Sequence, residues 1–300
     1  MSGIDDIAAA VAAVAKSTGS SVVSIGRNAR GSGVVVADGQ VLTNAHNLRG
    51  SEVTVTFADG RSIVGAVAGF DADGDLAVIK VDTAGATVLA WGDGDGLAIG
   101  SPVFGAAATV GGGIRVTFGL VSAVSRAFRG PGGRRIAGSV EHTAPMAPGS
   151  SGGALLDAKG KLVGLNTNRN GEGFYLALPA DASLKARVEA LGRGEAPERP
   201  RLGVAIAPNH VARRLRRSVG LPERDGVLVR GVEEGSLAEA AGVQAGDLIV
   251  SAGGRPVTDG DDLFDALGSI ELPFELGFVR GSEERSVTVG EAKGRTPGDA

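Results

Sequence analysis

A serine set among glycines, in Pro148-Gly149-Ser150-Ser151-Gly152-Gly153 just ahead of the apolar run Ala154-Leu156, has the makings of a nucleophile. Glycines let the backbone turn sharply and bring amide N–H groups close to the hydroxyl. Two such donors, at Gly149 and Ser151, suit the oxyanion that forms when a hydroxyl attacks a carbonyl. A plain glycine-rich turn between strands has the same composition, so the decisive question is whether a base is available. The chain holds three histidines, His46, His142 and His210. His46 closes Val41-Leu42-Thr43-Asn44-Ala45-His46, the end of an apolar strand, where a barrel leaves a side chain at its rim. A neutral imidazole in hydrogen-bond reach takes the serine proton and returns it to the leaving group. Asp75 opens the apolar run Leu76-Ala77-Val78-Ile79. A carboxylate against such a strand is partly buried and wants a partner, and orienting the imidazole would provide one. Its other reading is an ordinary turn residue.

Two rival motifs fail. Gly149-Ser150-Ser151-Gly152-Gly153 fits the nucleophile elbow of α/β-hydrolases, but only His210 follows the serine and strands do not alternate with helices. Asp71, Asp73 and Asp75 have the spacing of a calcium loop, with Asp82 near its end. Leu76 replaces the obligatory glycine and no helices flank the segment, so neither calcium nor any other metal or cofactor is expected.

The elements that must position these residues are short strands. Val53, Val55 and Phe57 alternate with Thr54 and Thr56, Asp59-Gly60 turns the chain, and Ser62–Val67 returns. Gly33–Ala37, Asp38-Gly39 and Val41–Thr43 repeat the arrangement, and Leu76–Val81, Ile114–Ser125, Ala154–Leu156 and Leu162–Leu165 add strands. This pattern predicts antiparallel barrels or a sandwich. A helix follows at Asp181–Leu191, with Leu184, Val188 and Leu191 on one face. Residues 192–200 have no apolar periodicity and read as a linker between a domain of residues 1–191 and one of residues 201–290. The second domain is strand-rich, with helices near Leu237–Ala241 and Asp261–Leu267, and residues 291–300 read as a flexible tail.

With 43% hydrophobic and 21% charged residues and a net charge of -4, the 300-residue chain reads as globular and gives no sign of nucleic-acid binding. The run Arg213-Arg214-Leu215-Arg216-Arg217 reads as a solvated helix face. No cysteine is present, which excludes disulfides, thiolate metal sites and a cysteine nucleophile while leaving the redox compartment open. The apolar stretch Ile7–Ala15 follows Asp5 and Asp6, lacks a basic flank and is too short to span a membrane. It is expected to form an Ala-rich helix. As written the chain is expected in the cytoplasm, or in the periplasm or outside the cell if its N-terminus has been trimmed. No Gly-x-x-x-x-Gly-Lys-Ser/Thr nucleotide loop occurs.

Taken together, Gly31-Ser32-Gly33, Leu42–His46, Asp75–Lys80, Pro148–Gly153 and Val163-Gly164-Leu165-Asn166-Thr167 resemble the HtrA/Deg family of trypsin-like serine proteases. The order His, Asp, Ser is that of the chymotrypsin fold. The resemblance runs from about residue 18 to about residue 290. It implies a mostly β protein, a chymotrypsin-like double β-barrel followed by a PDZ domain. It places His46, Asp75 and Ser151 on the family's triad and Gly149 and Ser151 on its oxyanion-hole amides. Thr143, Ala147 and Ser150 stand where the family commonly has Asp, Asn and Asn. Pro145 takes the pocket-floor position that holds Asp in relatives specific for basic residues, which implies cleavage after small aliphatic residues. Arg201-Leu202-Gly203-Val204 matches the PDZ carboxylate-binding loop, whose amides would hold an apolar C-terminal peptide. The family further implies ATP-independent endopeptidase action on unfolded or damaged proteins, and a homotrimer. A catalytically weak chaperone or peptide-binding protein with an unformed oxyanion hole is the alternative.

Overall fold

A computed structural model of the chain describes residues 3–110, 112–130, 135–195, 200–207, 209–268 and 270–290. The expected tail at residues 291–300 and most of the second half of the expected linker lie outside the described residues. The chain divides into two compact units, Met1–Pro197 and Glu198–Ala300.

The first unit holds two closed antiparallel barrels. Strands β1 (Val22–Ile25), β2 (Gly31–Ala37), β3 (Gln40–Thr43), β4 (Glu52–Thr56), β5 (Ser62–Asp71) and β6 (Leu76–Lys80) close in the order β1-β2-β3-β6-β5-β4. Strands β7 (Pro102–Ala108), β8 (Ile114–Arg129), β9 (Arg135–His142), β10 (Ala154–Leu156), β11 (Leu162–Arg169) and β12 (Tyr175–Pro179) close in the order β10-β11-β12-β9-β8-β7. Helix α1 (Gly3–Thr18) precedes the barrels and α2 (Ala182–Gly192) follows them, its start capped by the Asp181 carboxylate, which accepts the Leu184 N–H at 2.6 Å.

Several strands are apolar on both faces, and the packing explains why. Val35, Val41 and Ile79 point into the first barrel with Ile25, Val55 and Phe57. Their chain neighbours Val34, Leu42 and Val78 point the other way, into a core shared with Phe104, Leu156 and Leu165 of the second barrel and Leu184, Val188 and Leu191 of α2. Alternate residues of one strand thus serve two cores. The Asp59-Gly60 turn forms as expected: Gly60 sits at φ +85 and Asp59 Oδ1 accepts the Arg61 N–H at 2.9 Å.

The second unit is a sheet in the order β13 (Val204–Ile206), β14 (Val227–Val232), β15 (Leu248–Ala252), β17 (Phe274–Arg280) and β18 (Glu283–Val289), with β16 (Arg255–Pro256) paired to β15. Its helices are α3 (Asn209–Ser218), α4 (Leu237–Ala240) and α5 (Gly260–Leu267). The arginine run lies on α3, where Arg213 and Arg217 pair with Asp225 and Glu223. Arg216 departs from the expected solvated face: it is buried, and its Nε donates to the Pro222 carbonyl at 3.1 Å.

Candidate active site

Register places the candidate base beside its candidate carboxylate. Thr43 of β3 faces Ala77 of β6, so His46, in a short 3-10 turn just past β3, lies next to Asp75, just ahead of β6. The His46 Nδ1 lies 2.9 Å from both Asp75 carboxylate oxygens, and the His46 main-chain N–H donates to Asp75 Oδ1 at 3.1 Å. Thr167 Oγ1 donates to Asp75 Oδ2 at 2.8 Å. A carboxylate that accepts from every side fixes the imidazole with its proton on Nδ1 and leaves Nε2 as the basic nitrogen. Asp75 is fully buried and sits at φ +54, a left-handed conformation costly for aspartate that the surrounding bonds hold in place, among them Asn44 Nδ2 donating to the Asp75 carbonyl at 3.0 Å.

Ser151 comes from the second barrel, in the turn between β9 and β10. Its hydroxyl donates to the Thr167 carbonyl at 2.6 Å, and no hydrogen bond joins it to His46 among the described residues. Thr167 therefore bridges the three candidates: its carbonyl holds Ser151 and its hydroxyl holds Asp75. Around the serine, Gly149 adopts φ +86, and a Cβ there would lie 2.5 Å from the Ala29 carbonyl oxygen. The Ser150 N–H donates to the Ala147 carbonyl at 3.2 Å. Among the described residues, no acceptor takes the N–H of Gly149 or of Ser151. Ser32 fastens the loop from the first barrel: its N–H donates to the Ser151 carbonyl at 2.8 Å and its hydroxyl to the Gly149 carbonyl at 2.9 Å.

A cavity of about 210 Å³ adjoins Ser151 and is lined by Met146, Ala147, Pro148, Arg169, Tyr175 and Leu176 among others, with no carboxylate on its wall. Pro145, the expected pocket-floor residue, is exposed and is not among the residues that line this cavity, whereas its neighbour Met146 is. Behind the wall, His142 is fully buried and stacked on Tyr175 with ring centres 5.9 Å apart. Asn166 Nδ2 donates to the Ala154 carbonyl at 2.8 Å, so its Oδ1 faces the imidazole and His142 Nε2 must carry the proton of the 3.0 Å contact. Burial pushes His142 down to about 4, against the opposing pull of the Asn166 hydrogen bond and of Glu141.

Sequence reasoning assigned no role to Thr167, although it ends the quoted Val163–Thr167 segment. A polar pair closing an apolar strand was the available signal. Asn47, next to His46, gave less: it is buried, and its bond to the Ser151 carbonyl spans residues distant in sequence. His210 lies on α3 of the second unit.

In the second unit, Leu202 is buried, Arg201 is exposed and Gly203 adopts φ +72. A Cβ on Gly203 would lie 2.3 Å from Ser236 Cβ. The Leu202 and Gly203 carbonyls accept the Ala238 and Glu233 N–H groups at 2.9 and 2.8 Å. Val204 begins β13, an edge strand of the sheet, and Ile206 on that strand reaches Gly260 at the start of α5. An open strand edge beside a helix is the geometry that accepts a peptide as an added strand.

Known proteins bear on both units. The trypsin-like peptidase domain family matches residues 31–165 and the PDZ domain family matches residues 228–280. HhoA of Synechocystis sp., named as a serine protease, is 34% identical over 89% of this chain and 72% of its own. A protein of Halomonas elongata named as a periplasmic DegP-like serine endoprotease is 31% identical over 88% of this chain, which spans 56% of that relative's length. The solved structure of the HtrA-type protease AlgW with a decapeptide superposes with a TM-score of 0.71 at 28% identity, covering 87% of this chain and 82% of that one. No described helix is long and apolar enough to cross a membrane. With its barrels, its sheet and relatives of this extent, the chain belongs to the HtrA/Deg family of trypsin-like serine endopeptidases carrying a PDZ domain.

Proposed function

We propose that the chain is an ATP-independent endopeptidase that cleaves unfolded or damaged proteins after small aliphatic residues, with Ser151 as nucleophile, His46 as base and Asp75 orienting the base. The observation that carries this reading is the bridge through Thr167, which ties the serine of one barrel to the carboxylate of the other. In the first step the Ser151 hydroxyl leaves the Thr167 carbonyl, gives its proton to His46 Nε2 and attacks the substrate carbonyl. The Gly149 and Ser151 N–H groups receive the oxyanion, His46 protonates the leaving amine, and water releases the acyl group by the same route. Casein hydrolysis tests the reading: wild-type protein degrades it and Ser151→Ala does not. Equal residual activity in the two would favour a peptide-binding chaperone.

The cavity supports the small aliphatic preference better than the sequence did. Its wall offers no carboxylate to a buried Lys or Arg and carries Arg169, which repels one. A peptide library cut after Val and Ala agrees with this; dominant cutting after Arg or Lys refutes it. The PDZ unit is proposed to hold apolar C-terminal peptides on the Arg201–Val204 loop and the β13 edge, and the protein to work as a homotrimer. Relatives named as periplasmic support the extracytoplasmic of the two compartments.

A further inference from the structure

We infer that Asn47, the residue after the base, is a positioning residue for the nucleophile, and that one short turn thereby sets both halves of the site. The inference rests on Ser151 being the nucleophile. Asn47 is 2% exposed, and its Nδ2 donates to the Ser151 carbonyl at 2.9 Å and to Thr43 Oγ1 at 3.0 Å. The orientation of this amide follows from its partners. A carbonyl only accepts, and Thr43 Oγ1 already gives its hydrogen to the Ser32 carbonyl at 2.7 Å, so both groups demand a donor. With the Ser32 N–H at 2.8 Å, Asn47 completes both acceptor sites of the Ser151 carbonyl.

The carboxamide is packed between two glycines, one from each barrel. A Cβ on Gly31 of β2 would lie 2.3 Å from Asn47 Cγ, and one on Gly152 would lie 3.0 Å from its Nδ2. Gly31 thus makes room for this side chain, while a Cβ on Gly152 would meet the Ser32 carbonyl oxygen first, at 2.1 Å. The consequence for the chemistry is local. Ser32 Oγ holds the peptide plane after Gly149, while Asn47 and the Ser32 N–H hold the plane after Ser151. Between them lies the peptide whose N–H belongs to Ser151, one of the two proposed oxyanion donors. Since His46 is bound to Asp75 from the same turn, that turn fixes the base and the nucleophile's backbone together.

The test is acylation by an ester substrate in a single turnover, with the rate expressed per active site titrated by a fluorophosphonate. Asn47→Leu keeps the branching at Cγ, with bulkier methyl groups, and removes the donor, and Asn47→Asp replaces the donor with an oxygen facing the Ser151 carbonyl. Both should lower the acylation rate constant per titrated site, roughly 10-fold to 100-fold, with KM changed less than twofold and Asn47→Asp the worse of the two. Gly31→Ala, which displaces the carboxamide from the other side, should lower it in the same manner. Where a variant folds poorly, the rate per titrated site still reads the folded fraction. A wild-type rate constant per site in Asn47→Leu, with only the amount of active protein reduced, overturns the inference. Failure of wild-type protein to titrate, or titration that persists in Ser151→Ala, instead overturns the assignment of the nucleophile.

Discussion

The two barrels contribute to the site in different ways. The first delivers its part through side chains: Asp75 is buried, accepts donors from His46 and Thr167, and leaves the imidazole a single tautomer. The second delivers Ser151 through backbone, on a glycine loop whose carbonyls are fastened from outside by Ser32 and Asn47 while the hydroxyl rests on the Thr167 carbonyl. The proposed base is therefore placed by the groups around its ring, and the proposed nucleophile by the planes of its peptides. Damage to the first half should act on proton transfer, and damage to the second on loop geometry.

The largest effect is expected from Asp75→Asn, which presents an amide to Nδ1 and reverses the imidazole tautomer. It should cost about four orders of magnitude in kcat on a peptide ester, with thermal unfolding showing that the barrels persist. Gly149→Ala probes the other half. The left-handed φ and the nearby Ala29 carbonyl oppose a Cβ, so the oxyanion donor should be displaced and kcat should fall roughly 100-fold with KM little changed. Thr167→Val removes one donor to Asp75 while keeping the carbonyl, and should cost about tenfold in kcat. If Thr167→Val costs as much as Gly149→Ala, the division between a side-chain half and a backbone half breaks down.

The last effect is one of stability rather than of rate. The folded pKa of His142, about 4, lies below the value of about 6.5 for an unperturbed histidine, so the unfolded chain takes up the proton first. Stability should be complete above pH 6.5, fall by about 3 kcal/mol as the pH drops through 4, and level off below that. Chemical unfolding of wild type and His142→Asn across this window should show the slope in the first and a flatter profile in the second.

What the sequence made legible was local or ordered. The Asp59-Gly60 hairpin, the Asp181 cap and the His-Asp-Ser order each depend on near neighbours or on sequence alone. The strands β7 and β9 were not legible, because Pro-Val-Phe-Gly-Ala-Ala-Ala and Arg-Ile-Ala-Gly-Ser-Val-Glu-His are poor in strand-forming residues and owe their form to barrel closure. Thr167, Ser32 and Asn47 escaped for a related reason: each acts through hydrogen bonds to residues far along the chain, and no spacing rule announces such partners. Met146, and not Pro145, lines the cavity, and a count back from Ser151 does not tell the two apart.

The most direct test of the central claim is mass mapping of the adduct formed by a fluorophosphonate, in wild type and in His46→Ala. The account predicts a single adduct on Ser151 in the wild type and its near loss in His46→Ala. An adduct on another serine, or undiminished labelling of Ser151 without His46, would contradict it.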